Sequence, residues 1–119
     1  ESEPEVRALC SYIRFLGNVR LVASFHTQGE EIYYRHGGKA LPGASEAARR
    51  VAQLTGYRLS DATGPAAYGG LTDWCLTKCG IRALTLECGK GENPLPLTQL
   101  FPVYLKLREA LFRMGNFYA

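Results

Sequence analysis

No apolar stretch in this chain approaches the roughly 18 residues that a membrane-spanning helix needs. The N-terminus has neither a basic stretch nor an apolar signal-like region. Nothing in the sequence is therefore expected to cross a membrane or anchor in one. Clustered positive charge is also missing: fourteen basic residues face eleven acidic ones, for a net charge of +3, and Arg49-Arg50 is the only adjacent basic pair. Nucleic-acid binding asks for a basic stripe or patch, so this charge serves solubility and no nucleic-acid partner is expected. Cysteine is sparse, at four residues. Cys75 and Cys79 stand one helical turn apart, but a structural zinc site wants a second closely spaced pair, and there is none. Reduced, mostly buried thiols are expected at Cys10, Cys75, Cys79 and Cys88.

The chain has 119 residues, of which 46% are apolar and 21% charged. That is the composition and size of one globular domain with a modest core. It begins at Glu1 rather than at methionine, as a processed product or a piece of a longer protein does. Ser2-Glu3-Pro4-Glu5 reads as a capping box. Val6, Leu9, Cys10, Ile13 and Leu16 then recur at helical spacing before Gly17, which predicts a helix over 3–16. Val19 to Phe25 reads as a strand covered on both faces, ending at Ser24-Phe25-His26. An irregular excursion over 27–43 contains one extended segment at 31–34. A helix over 44–55 stops at Gly56, and Tyr57 to Leu59 forms a short strand. Ser60 to Gly70 has the composition of a surface loop.

Leu71, Trp74, Cys75 and Lys78 suit a helix closed by Gly80. Ile81 to Cys88 is a strand with Ala83, Thr85 and Glu87 on one face and Leu84, Leu86 and Cys88 on the other. Residues 89–96 are loop again. The last helix carries Val103, Leu107, Ala110, Leu111 and Met114 inward, with Pro102 either starting it or kinking its first turns. Helices alternating with strands imply an α/β fold, with a mostly parallel or mixed sheet and helices on both faces. Ligands gather beyond the carboxyl ends of strands in such sheets, and two ionisable residues stand at strand ends, His26 and Glu87.

A histidine at a strand end is rigidly held and is of the residue type that commonly ligates zinc. The alternative is a histidine hydrogen-bonded beneath a loop. Glu87 closes an apolar strand, where a carboxylate must be paired, solvated in a cleft, or used as a base with a raised pKa. A cysteine nucleophile, Cys75 or Cys79 acting with His26, would need a lowered thiol pKa that nothing in the surrounding sequence supplies.

The local sequences add a resemblance. Ser24-Phe25-His26-Thr27-Gln28-Gly29-Glu30 resembles the segment of the zinc metallocarboxypeptidase family, carboxypeptidase A type, that ends a strand with the third zinc ligand. Gly69-Gly70-Leu71-Thr72-Asp73-Trp74 resembles the family's glycine pair followed by Asp-Trp, and Thr85-Leu86-Glu87 matches the position of its catalytic glutamate. Ser2-Glu3-Pro4-Glu5 resembles the helix start before the histidine strand. The stretches from His26 to Tyr33 and from Glu87 to Pro94 look most like bacterial γ-D-glutamyl-diamino acid peptidases, which cut cell-wall peptides next to diaminopimelate.

The resemblance implies that residues 1–119 are the C-terminal part of a catalytic domain, half of a three-layer carboxypeptidase-like fold. It implies metal-assisted hydrolysis, with His26 as one of three protein ligands to zinc. Glu87 would take a proton from water and pass it to the leaving amine. The other two ligands come from a His-x-x-Glu motif that this chain does not contain; its second histidine, His36, is followed by Gly37-Gly38-Lys39. The chain alone is thus expected to be inactive. Thr72 matches the position that sets the polarity of the family's specificity pocket. The family's mobile substrate tyrosine falls at Pro65 by counting, and Tyr68 fills that role if the loop is shifted. Asp73 and Trp74 are read as packing and capping residues. The expected partners are a peptide or murein-peptide substrate and the missing N-terminal half, and a severed sheet edge could also pair with a second copy. Either the bacterial cytoplasm or the cell wall suits such a protein. A different class of protein, a non-catalytic module binding peptides or wall fragments, would keep this half of the fold without zinc.

Overall fold

The computed structural model describes residues 3–118. Its elements in chain order are α1 (Pro4–Leu16), β1 (Leu21–His26), β2 (Glu31–Tyr33), α2 (Ala44–Thr55), β3 (Arg58–Leu59), α3 (Leu71–Trp74), β4 (Arg82–Glu87) and α4 (Leu100–Met114). The strands form one sheet in the order β1-β4-β2-β3. β1 pairs with β4 in parallel, β2 with β3 in parallel, and β2 with β4 antiparallel. The sheet is therefore mixed rather than joined throughout by parallel crossovers. The physical reason is that only four residues, 27–30, separate β1 from β2, too few for a crossover helix, so the chain must turn back.

The helix ends follow local chemistry. Glu3 is the N-cap of α1, with Pro4 in the first turn, and Gly17 closes the helix. The expected capping box rests on Ser2, which lies outside the described residues. α3 continues as a wider π-type turn over Cys75–Cys79 and stops at Gly80. A short 3-10 turn at Leu97–Gln99 leads into α4, and Pro102 sits in the first turn of that helix, where a missing N–H is tolerated.

Alternation along each strand separates two faces. Ile32, Leu84 and Leu86 are fully buried with Ala44, Ala48 and Val51 of α2 and Ala110 of α4, and Leu21 and Ala23 of β1 pack against the same cluster. Full burial of each large side chain contributes about 1.5–3 kcal/mol. Val103, Leu107 and Met114 face this core, whereas Leu111, expected to point inward, is 50% exposed. At 100° per residue it lies about 80° around the helix from Val103, at the edge of the stripe. On the other sheet face, α3 lies over β1 and β4, and α1 packs beside α3 with Cys10 and Ile13 buried and Arg14 over the Trp74 ring, 5.0 Å from its centroid.

Several surfaces are less well covered, among them the outer face of α4, where Leu100, Phe101, Tyr104 and Phe112 are exposed. Among the described residues β1 has a neighbouring strand on one side only. Val6, Leu9, Tyr12, Phe15 and Leu16 of α1 are all more than two-fifths exposed. The accessible surface totals 7688 Å² for 13.1 kDa, against about 6,400 Å² for a typical folded monomer of that mass. No helix among the described residues is long and apolar enough to cross a membrane.

Candidate functional site

His26 and Glu87 are opposite each other in register at the carboxyl ends of β1 and β4. The two loops that leave these strand ends are tied together. The Cys88 amide donates to the His26 carbonyl (2.8 Å) and the Gly29 amide to the Gly89 carbonyl (2.8 Å). Asn93 donates to the Thr27 carbonyl (3.0 Å) and accepts from the Thr27 hydroxyl (2.8 Å). Gln99 spans the main chain of Lys90, accepting from its amide (3.0 Å) and donating to its carbonyl (2.6 Å). Gly89, at φ +73°, permits this closeness: a Cβ there would lie 2.6 Å from Leu95 and 2.7 Å from the Gln99 side-chain oxygen. Only glycine fits.

The strand side chains on the cleft face continue the site downward. Ser24, Thr85 and Thr72 form a row of hydroxyls, with oxygen separations of 3.1 Å and 2.6 Å. Thr72 is buried beneath the cleft at the start of α3. From β2, Glu31 and Tyr33 face the same side, and the Tyr33 hydroxyl donates to Glu31 at 2.6 Å, while Arg58 pairs with the other Glu31 oxygen. The resulting cleft, of about 250 Å³, is lined by Ser24, His26, Tyr33, Thr72, Thr85 and Glu87 among others. Burial pushes the Glu87 carboxyl above the ordinary value, with His26 pulling it down and Glu31 pushing it up. Tyr33 is pushed up to about 12, by burial first and then by its bond to the Glu31 carboxylate. A carboxylate with a raised pKa at the mouth of a cleft is suited to accept and return a proton.

Beside this cleft lies a second cavity of about 270 Å³, sharing Arg35, Ala62 and Asp73 with it. Arg35 donates two bonds to the Asp61 carboxylate, at 2.6 and 2.7 Å. His36 Nδ1 lies 3.2 Å from Asp73 Oδ1, and the other Asp73 oxygen accepts from the Gly70 amide at 3.3 Å. Asp73 thus caps α3, as expected, and also holds a histidine. His36 is fixed by a tight turn whose Gly37 and Gly38 both have positive φ, with paired bonds between His36 and Lys39. Tyr68 is 73% exposed and meets the His36 ring edge-on at 5.8 Å. It lines this second cavity rather than the one containing His26 and Glu87.

The sequence carried a signal for these neighbours that residue-type motifs did not register. Glu31, Tyr33 and Arg35 alternate with buried Ile32 and Tyr34, a period of two that turns the first three toward the cleft. The His36–Asp73 contact spans 37 residues and depends on the fold. The cysteines are all free, with Cys10, Cys75 and Cys88 buried. Burial pushes Cys75 up to about 11, with Cys79 and Cys10 adding to the shift, which makes it a poor nucleophile.

His26 and Glu87 have donor chemistry that zinc accepts. Among the described residues, however, no group of three or more His, Cys, Asp or Glu side chains could hold a metal ion. The described residues do not by themselves fit a zinc ion held by three protein ligands.

The chain is similar to bacterial proteins. It is 32% identical over 112 residues to the uncharacterized protein YqgT of Bacillus subtilis (strain 168), covering 94% of this chain and 30% of that protein. It is 28% identical over 103 residues to gamma-D-glutamyl-L-diamino acid endopeptidase 1 of Lysinibacillus sphaericus, covering 87% of this chain and 25% of that protein. The chain therefore spans less than a third of the length of these curated relatives. No protein-family model matches it.

Proposed function

We propose that this chain is the C-terminal part of a peptidase catalytic domain of the zinc carboxypeptidase type. Its substrate is a cell-wall peptide, cut at the bond between γ-D-glutamate and diaminopimelate. The observation that carries this reading is the register pairing of His26 with Glu87 at the head of a cleft, each at a parallel strand's carboxyl end. The likeness to a protein named as a γ-D-glutamyl-diamino acid endopeptidase supports a peptidase-like function. Glu87 takes a proton from the attacking water and delivers it to the leaving amine, and its burial keeps the carboxyl basic enough for both transfers. His26 is one metal ligand, and the remaining ligands come from residues outside this chain. The hydroxyl row of Ser24, Thr85 and Thr72 gives the cleft floor the polarity that a polar side chain needs, and Tyr68 closes over the substrate.

The missing part of the domain is supported by the surface. The excess of roughly 1,300 Å² over a typical monomer is of the size that one side of a permanent interface buries. It accompanies the open edge of β1 and the exposed apolar face of α1. The test is hydrolysis by the longer protein that contains this chain, using N-acetyl-γ-D-glutamyl-meso-diaminopimelate as substrate. Cleavage that is lost in both His26→Ala and Glu87→Gln, with folding retained, supports the proposal. Cleavage that survives both substitutions overturns it.

A further inference from the structure

We propose that α4 is an interior helix of the longer protein, its exposed apolar flank being the docking surface for a second helix of about fifteen residues from the polypeptide outside this chain. The proposal rests on the reading of these residues as part of a larger domain and names where and by what they are covered. Two apolar sectors lie side by side on α4. At 100° per residue, the core-facing Val103, Leu107, Ala110 and Met114 occupy about 60° of the circumference. Leu100, Phe101, Tyr104, Leu105, Leu111 and Phe112 fill about the next 140°, and all are exposed. Lys106, Glu109 and Arg113 share the polar remainder. A helix with one wet face carries an apolar stripe of about 100°, whereas one that is apolar on most sides is enclosed by protein.

The placement of the flank identifies its occupant. Glu109 and Arg113 share a cavity with Arg50 of α2, so the polar side of α4 is turned toward α2, which lies over β2, β3 and β4. The apolar flank is on the opposite side, the side on which β1 has no neighbouring strand. Polypeptide that continues the sheet past β1 therefore brings its covering helix against α4. The relatives have room for it, since the matched region is 30% and 25% of their lengths. At its N-terminal end the flank runs into an apolar cavity of about 170 Å³ between Thr27, Leu95, Leu97 and Leu100, which receives a large side chain of the docked helix. Thr27 and Leu95 belong to the tied loops after β1 and β4, so that helix also rests on them. Arg108 is the one charge within the flank, and it has no hydrogen-bond or ion-pair partner among the described residues. A second copy laid on this flank would bring its own Arg108 into the same interface. A different helix can instead supply a carboxylate.

The test makes the same substitutions in the 119-residue chain and in the longer protein that contains it. Phe101→Asp and Phe112→Asp replace side chains that are 66% and 83% exposed, so in the chain alone they are expected to leave Tm nearly unchanged. In the longer protein each encloses a carboxylate without a partner and is expected to lower Tm by roughly 5–10 °C. Phe101→Leu and Phe112→Leu are expected to recover most of that loss. Hydroxyl-radical footprinting reads the same surface without any substitution: the Phe101, Tyr104 and Phe112 rings are expected to be oxidised in the chain and protected in the longer protein. Equal Tm losses in both proteins, no loss in the longer protein, or rings as reactive there as in the chain overturn the docking surface. So does light scattering in which the substitutions split a dimer of the longer protein, which assigns the flank to a second copy. Turnover that survives Glu87→Gln overturns the peptidase reading instead, and leaves a demonstrated enclosure of α4 standing.

Discussion

His26 and Glu87 face each other across one rung of a parallel ladder, and the Cys88 amide bonds the His26 carbonyl at 2.8 Å. The backbones that carry them are held in register, because the loops that leave the two strand ends are tied by Thr27–Asn93 and Gly29–Gly89 bonds. The roles proposed for the two residues, metal ligand and proton-transferring carboxylate, call for strand ends held in this way, since small displacements of reacting groups cost large factors in rate.

Gly89→Ala is expected to destabilise the chain by about 2 kcal/mol, through a left-handed backbone and collision with Leu95 and Gln99. Urea unfolding measures it. A variant as stable as the parent would mean that the loop after Glu87 is looser than described.

Thr85→Val is expected to cost about 2 kcal/mol, because it leaves the buried Thr72 hydroxyl without its 2.6 Å partner. Thermal or urea unfolding reads the loss. A neutral outcome would show that the hydroxyl row is not a structural unit.

Glu30 joins the site loops to α4 by pairing with Lys106 at 2.9 Å and Lys90 at 3.4 Å. Its pKa is lowered, by the Lys106 hydrogen bond most and against the effect of burial. A depressed carboxylate pKa stabilises the fold above the unfolded value, about 4.5, and that stability is lost as pH falls through the folded pKa. Glu30→Gln is therefore expected to cost about 1 kcal/mol at pH 7, with the difference from the parent vanishing in acid. Unfolding curves at pH 7 and pH 3 check this, and a gap that does not change with pH would contradict it.

Much of the frame was legible in sequence. The helix over 44–55 and the strand ending at Glu87 follow from apolar periodicity, and their glycine stops lie in local sequence. The antiparallel return of β2 was not read, because the few residues between β1 and β2 speak to connectivity rather than to periodicity. His26 and Glu87 were visible as ionisable residues ending apolar strands. Arg35 and the His36–Asp73 pair were not, since each is an unremarkable residue until folding brings distant segments together. Leu111 was misplaced because it sits at the boundary of its stripe, where a heptad-like count cannot separate core from surface.

The chain alone is expected to bind zinc weakly, because a single imidazole with one nearby carboxylate cannot replace the water shell of the ion. Calorimetric titration of the metal alone into the chain tests this. Tight one-to-one binding would contradict it, and a stoichiometry of one zinc per two chains would indicate that copies share ligands.

The central proposal is that Glu87 transfers the proton in peptide hydrolysis. The most direct measurement compares steady-state hydrolysis of N-acetyl-γ-D-glutamyl-meso-diaminopimelate by the longer protein and by its Glu87→Gln form, together with the metal content of each. Loss of general acid–base catalysis lowers kcat by roughly 10²–10⁴-fold. A fall of that size with KM and metal content nearly unchanged is the expected result, and a kcat within a few-fold of the parent would contradict the assignment.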